Sequence, residues 1–84
     1  MKPRKTLDRI QAGSRDIKFG DLVALAEALG FVVARISGSH HILRHPDVAE
    51  LLNLQDVGGR AKPYQVRQLM ALVARYSLHL EDRS

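Results

Sequence analysis

The apolar period of this chain changes at Gly30 and changes back at Pro63, and that double switch restricts the fold more than any other feature. Before it, Phe19, Leu22, Val23, Ala26 and Leu29 recur at helical spacing, with Gly20-Asp21 as the expected start and Gly30 as the stop. After it, Phe31–Ser37 is rich in β-branched residues and reads as a strand. Gly38-Ser39 marks a turn, His40–His45 a second strand and Pro46-Asp47 a second turn. Leu51–Gln55 then alternates, Leu52 and Leu54 to one side and Asn53 and Gln55 to the other. It reads as a third strand, antiparallel to the second because the connection is short. Gly58-Gly59 opens a loop, and Pro63 suits the first position of a helix because its missing N–H is not needed there. Val66, Leu69, Met70, Val73 and Tyr76 form the apolar stripe of that last helix.

Ahead of this core, Thr6–Gly13 reads as a short helix with Thr6 as N-cap, Gly13 at its end, and Leu7 and Ile10 as a small apolar stripe. Two amphipathic helices and one small sheet bury their apolar faces by packing both helices on one sheet face. The expected fold is therefore a two-layer α+β domain: helix, three-stranded antiparallel sheet, helix, with an extra N-terminal helix. The expected division is one domain with an extension over 1–18, a core over 19–76 and a polar tail over 77–84.

The absence of cysteine excludes a disulfide framework, a thiolate metal site and a cysteine nucleophile. The longest apolar run is far too short to span a bilayer, and the basic N-terminus has no apolar segment behind it, so a soluble cytoplasmic protein is expected. Residues 1–20 carry six Lys/Arg against Asp8 and Asp16, a surplus equal to the net charge of +4 of the whole chain. Such a balance suits a polyanion or an acidic protein partner, and equally a solubility charge without a partner.

Three of the four histidines, His40, His41 and His45, fall within six residues. Histidine exchanges protons near neutral pH, its unperturbed pKa being roughly 6.5. On a strand, His40, Ile42 and Arg44 share one face and His41, Leu43 and His45 the other. Periodicity leaves open which face is covered, and a structural or solvated role is open for each histidine. No metal site is expected, because adjacent strand residues point apart and no carboxylates stand at useful positions. No cofactor is expected either. A second candidate is Gly58–Arg67, where Arg60 and Lys62 lead into a helix N-terminus, an arrangement that attracts phosphate and that also occurs in plain solvated loops.

Gly38-Ser39-His40-His41 in a hairpin, His45-Pro46 behind it, and Lys62-Pro63-Tyr64-Gln65-Val66-Arg67 opening the last helix together resemble the HicA toxins, small mRNA-cleaving proteins of bacterial toxin–antitoxin pairs. The resemblance covers about Phe19 to Tyr76, with 1–18 similar to the extension of a longer subgroup. It implies a fold like double-stranded RNA-binding domains and a metal-independent ribonuclease. The histidine after the Gly-Ser turn, His40, would be catalytic and His41 secondary. Lys62, Arg60, Arg44 and Ser39 would meet RNA phosphate. It also implies a HicB-type antitoxin covering the active face, in a possible higher-order toxin–antitoxin complex. Many short members carry Pro-His after the third strand, where this chain has Leu54-Gln55-Asp56-Val57, so any contribution of that second histidine is absent or supplied otherwise. The rival expectations are a non-catalytic RNA-binding module and a pure protein-interaction domain.

Overall fold

The computed structural model describes residues 1–80. Its elements run α1 (Pro3–Gln11), α2 (Phe19–Ala28), β1 (Val32–Ser37), β2 (His40–His45), β3 (Val48–Gln55) and α3 (Pro63–Tyr76). The strands form one antiparallel sheet in the order β1-β2-β3. This is the expected α+β architecture with the N-terminal helix added.

Strand alternation sorts the sheet into two faces. Leu43 of β2 and Leu52 and Leu54 of β3 are fully buried beneath the helices, while His40, Arg44 and Asn53 are exposed. Phe19, Leu22, Leu25 and Ala26 of α2 and Val66, Leu69 and Leu72 of α3 close the core from the other side. The covered face is therefore that of His41, Leu43 and His45, and the open face that of His40 and Ile42.

Three boundaries differ from the expectation. The first helix begins at Pro3 with Lys2 as N-cap, and Thr6 lies inside it, 1% exposed, its hydroxyl donating to the Lys2 carbonyl at 3.4 Å. Proline at the first helical position makes the earlier start favourable, as it does at Pro63. The second helix starts at Phe19, with Lys18 rather than a Gly-Asp pair at its cap. The third strand starts at Val48, because the Pro46-Asp47 turn feeds it directly. Beyond α3, Ser77 adopts a left-handed conformation and Leu78 and Leu80 pack on the core, so the segment is less polar in its contacts than in its composition. The rest of the expected tail, 81–84, lies outside the described residues.

Candidate functional site

The turn between β1 and β2 has two residues, and only the first, Gly38, takes positive φ (59°). That is the pattern of a II′ hairpin turn, in which glycine is favoured at the first central position. His40 follows as the first residue of β2, exposed, opposite Ser37 on β1 and Gln55 on β3. Its Nδ1 lies 3.1 Å from Asn53 Oδ1. With the amide oxygen accepting, the ring proton resides on Nδ1, and Nε2 is left on the open face as an acceptor with no partner among the described residues.

The end of the sheet that carries His40 is tied to the basic loop by a chain of contacts. The Ser39 carbonyl accepts from the Asp56 N–H at 2.9 Å, and the Ser39 hydroxyl accepts from Gln55 Nε2 at 3.4 Å. Asp56 in turn accepts from the Gly59 N–H at 2.7 Å. Gln65, in the first turn of α3 and 1% exposed, applies its side-chain amide to the main chain of Gln55. Its oxygen accepts from the Gln55 N–H at 2.8 Å and its nitrogen donates to the Gln55 carbonyl at 3.2 Å. The α3 N-terminus and the hairpin turn are thus anchored to the same stretch of β3.

Within that arrangement the expected phosphate ligands differ in availability. Lys62 is the exposed N-cap residue of α3 and forms no hydrogen bond or ion pair among the described residues. Arg60 is engaged by Asp16 in an ion pair in which both side chains are largely exposed, 55% and 69%. The N-terminal extension reaches this loop by its main chain as well, with the Phe19 N–H donating to Gly59 O and the Ala61 N–H to Ile17 O. Arg44 is exposed but four residues along β2, about 13 Å from His40 at the rise of a strand.

A cation not anticipated from the sequence stands closer. Counted back from the two-residue turn, Ser37 pairs with His40 and Arg35 with Ile42, which puts Arg35 on the open face diagonal to His40; the bulge lies beyond it, between Arg35 and Val33. Diagonal neighbours lie about 7–8 Å apart. Alternation back from the Gly38-Ser39 turn marks this position once the two-residue turn fixes the register. Tyr64, 51% exposed in the first turn of α3, is the other open side chain that periodicity passed over. Asn53 was legible as a polar-face residue, but its partnership with His40 depends on strand register.

The other two clustered histidines belong to the covered face. The His41 ring is half-buried and meets Phe19 edge-on at 4.9 Å, with a buried Nδ1 that has no hydrogen-bond partner among the described residues. His45 is a clip between elements: Nε2 donates to the Leu29 carbonyl at 3.1 Å, Nδ1 accepts from the Asp47 N–H at 3.0 Å, and the ring meets Phe31 edge-on at 5.1 Å. Among the described residues no three His, Asp or Glu side chains gather in a way that could hold a metal ion. No helix among them is long and apolar enough to cross a membrane.

In comparison with known proteins, the family model of the HicA toxin of bacterial toxin–antitoxin systems matches residues 19–73, roughly two thirds of the chain. Searches of curated proteins and of solved structures returned no match.

Proposed function

Given that the chain belongs to the HicA toxin family of bacterial toxin–antitoxin systems, we propose that it is a metal-independent endoribonuclease that cleaves mRNA with His40 as its catalytic histidine. The family carries the coarser part, a toxin with an antitoxin partner. The observation that supports the finer part is the His40–Asn53 contact, which leaves Nε2 without a hydrogen bond among the described residues, on an open sheet face with Arg35 diagonal to it.

In this reading Nε2 takes the proton of a 2′-hydroxyl. The 2′-oxygen bonds to the adjacent phosphorus, the bond from phosphorus to the 5′-oxygen breaks, and that oxygen takes a proton from water, since His41 stands on the covered face. General base help of this kind contributes about 10²–10⁴-fold. The requirement for a 2′-hydroxyl selects RNA over DNA. Arg35 and Lys62 offset charge on the phosphate, Ser39 lines the turn, and Arg44 meets a neighbouring phosphate further along the strand. The Arg60–Asp16 pair is exposed, and such pairs are worth about 0–1 kcal/mol, so a phosphate competes with Asp16 for that guanidinium.

A HicB-type antitoxin is the proposed partner, acting in the bacterial cytoplasm and, in a higher-order complex, covering the open face. The exposed Val32 and Leu51 on that face supply apolar area for such a cover.

The test is incubation of the purified chain with single-stranded RNA, with and without chelator. Cleavage that survives chelation, ends in 2′,3′-cyclic phosphate and vanishes in His40→Ala supports the assignment. Full cleavage by His40→Ala overturns it. Binding without cleavage by the unaltered protein favours the non-catalytic RNA-binding module instead.

A further inference from the structure

A cleft of about 580 Å³ runs between the C-terminal end of α1 and the N-terminal half of α3, apart from the open sheet face. Ile10 forms one wall and Pro63, Val66 and Met70 the other, with the exposed Arg15 and Arg67 at the rim. Four of its nine lining residues precede the segment matched by the family model, so the 19–73 core alone does not form it.

The chemistry of the lining narrows the occupant. Its floor is aliphatic, with the adaptable Met70 in the middle. Neither Arg15 nor Arg67 has a hydrogen bond or ion pair among the described residues, no carboxylate lines the cleft, and the first turn of α3 carries no acidic residue. An occupant is thus asked for apolar side chains below and negative charge at the edges. No aromatic ring lines the cleft, whereas a single-stranded nucleic acid is held by stacking its bases on such rings.

We propose that this cleft docks an acidic amphipathic segment of a partner protein, its aliphatic side chains on Ile10, Val66 and Met70 and its carboxylates on Arg15 and Arg67. Laying an apolar helix face into such a groove is a recurrent mode of recognition, and rim charges select its sign. The docking site is independent of RNA cleavage, because none of these residues takes part in the proposed chemistry.

The probe is a synthetic amphipathic helix with leucine on one face and glutamate on the other, titrated into the full chain while the amide and methyl resonances of Ile10, Val66 and Met70 are followed. Controls are the same leucine face with lysine in place of glutamate, the glutamate face with serine in place of leucine, and a single-stranded RNA. Saturable shifts with the leucine–glutamate helix alone, weakened about 10-fold in the Arg15→Glu, Arg67→Glu double variant, are expected. Both arginines are exposed, and should the double variant lose its native spectrum, Arg67→Gln in its place gives a smaller weakening of the same sign. Absence of shifts, equal binding of the lysine helix, or RNA moving these resonances while the peptide does not would overturn the proposal.

Discussion

His40 and Asn53 sit diagonally on neighbouring strands with Nδ1 3.1 Å from Oδ1, so the orientation of the candidate base is set by a residue of a different strand. An acceptor on Nδ1 keeps the ring proton there and leaves Nε2 for the substrate. Asn53→Ala is expected to lower kcat about 10-fold with little change in KM, since Asn53 holds the ring rather than the RNA. Asn53→Asp keeps the acceptor and should recover most of kcat while raising KM by repulsion of phosphate. Steady-state cleavage of a short RNA by the two variants gives this split, and equal kcat in Asn53→Ala and the unaltered protein would remove Asn53 from the mechanism.

Gly30 is required by two constraints at once. Its φ is +106°, and a Cβ at that position would stand 2.6 Å from His45 Nε2. The backbone conformation alone costs a non-glycine residue about 1–2 kcal/mol, and moving the ring breaks its bonds to Leu29 and Asp47. Gly30→Ala should therefore lose at least about 2 kcal/mol of stability, a fall in Tm on the order of 10 °C for a domain of this size. Thermal unfolding by circular dichroism measures it. His45→Ala should also lower Tm, but the catalytic rate of its folded fraction at low temperature should be unchanged.

Glu50 on β3 receives the Tyr76 hydroxyl and the Arg75 guanidinium from the end of α3, the latter at 2.6 Å. The Tyr76 hydrogen bond, followed by its own backbone hydrogen bond and the charge of Arg75, holds its carboxyl below the ordinary range. A carboxylate with a depressed folded-state pKa contributes stability that is present above its unfolded value of about 4.3 and lost as pH falls below it. Tyr76→Phe should lower Tm at pH 7, and the two proteins should converge in Tm as pH falls through 4 toward 3. Parallel curves over that range would show that the hydroxyl does not act through Glu50.

Much of this fold was legible because its helices carry clear apolar periods, its strands are rich in β-branched and alternating residues, and Gly30, Gly38-Ser39 and Pro63 punctuate them. The start of α1 was displaced because Thr6 resembles a cap while Pro3, the stronger signal, was passed over. The site was legible only in part. His40 follows directly from its turn, but alternation alone could not tell which face the helices cover. Arg35 depends on the register that the two-residue turn sets between β1 and β2, and the engagement of Arg60 by Asp16 joins positions far apart in sequence. Gln65 shows the same limit: a buried polar side chain in an apolar stripe is intelligible only once the main chain of Gln55 is beside it.

That Gln65 clamp connects stability to the site. Gln65→Leu keeps the volume and removes both hydrogen bonds, leaving the Gln55 N–H and carbonyl without their partner at a cost of about 1–3 kcal/mol. Because Gln55 lies opposite His40, the variant should also loosen the hairpin end of β3. Amide hydrogen exchange is expected to speed up at Gln55 and at neighbouring sites around Ser39, with Leu43 and Leu52 in the middle of the sheet unaffected. Uniform acceleration across the sheet would mean that the clamp serves global stability alone.

Asp16 offers a test of the basic loop that needs no catalysis. Its carboxylate occupies Arg60 and so stands where a phosphate would bind. Asp16→Asn removes that competitor at an exposed position, so folding should be nearly unchanged while RNA affinity rises about 2–5-fold at low salt. The gain should be electrostatic in kind. Each additional phosphate contact on a single strand steepens the dependence of log K on log salt by about 0.7, so the slope for Asp16→Asn should exceed that of the unaltered protein by up to this amount. Arg60→Ala in the Asp16→Asn background should restore the original slope. A gain that persists at high salt, or in the absence of Arg60, would place the effect elsewhere than in this guanidinium. Measured with the His40→Ala protein, binding is read free of cleavage, and the contribution of Arg60 to holding RNA separates from any contribution to breaking it.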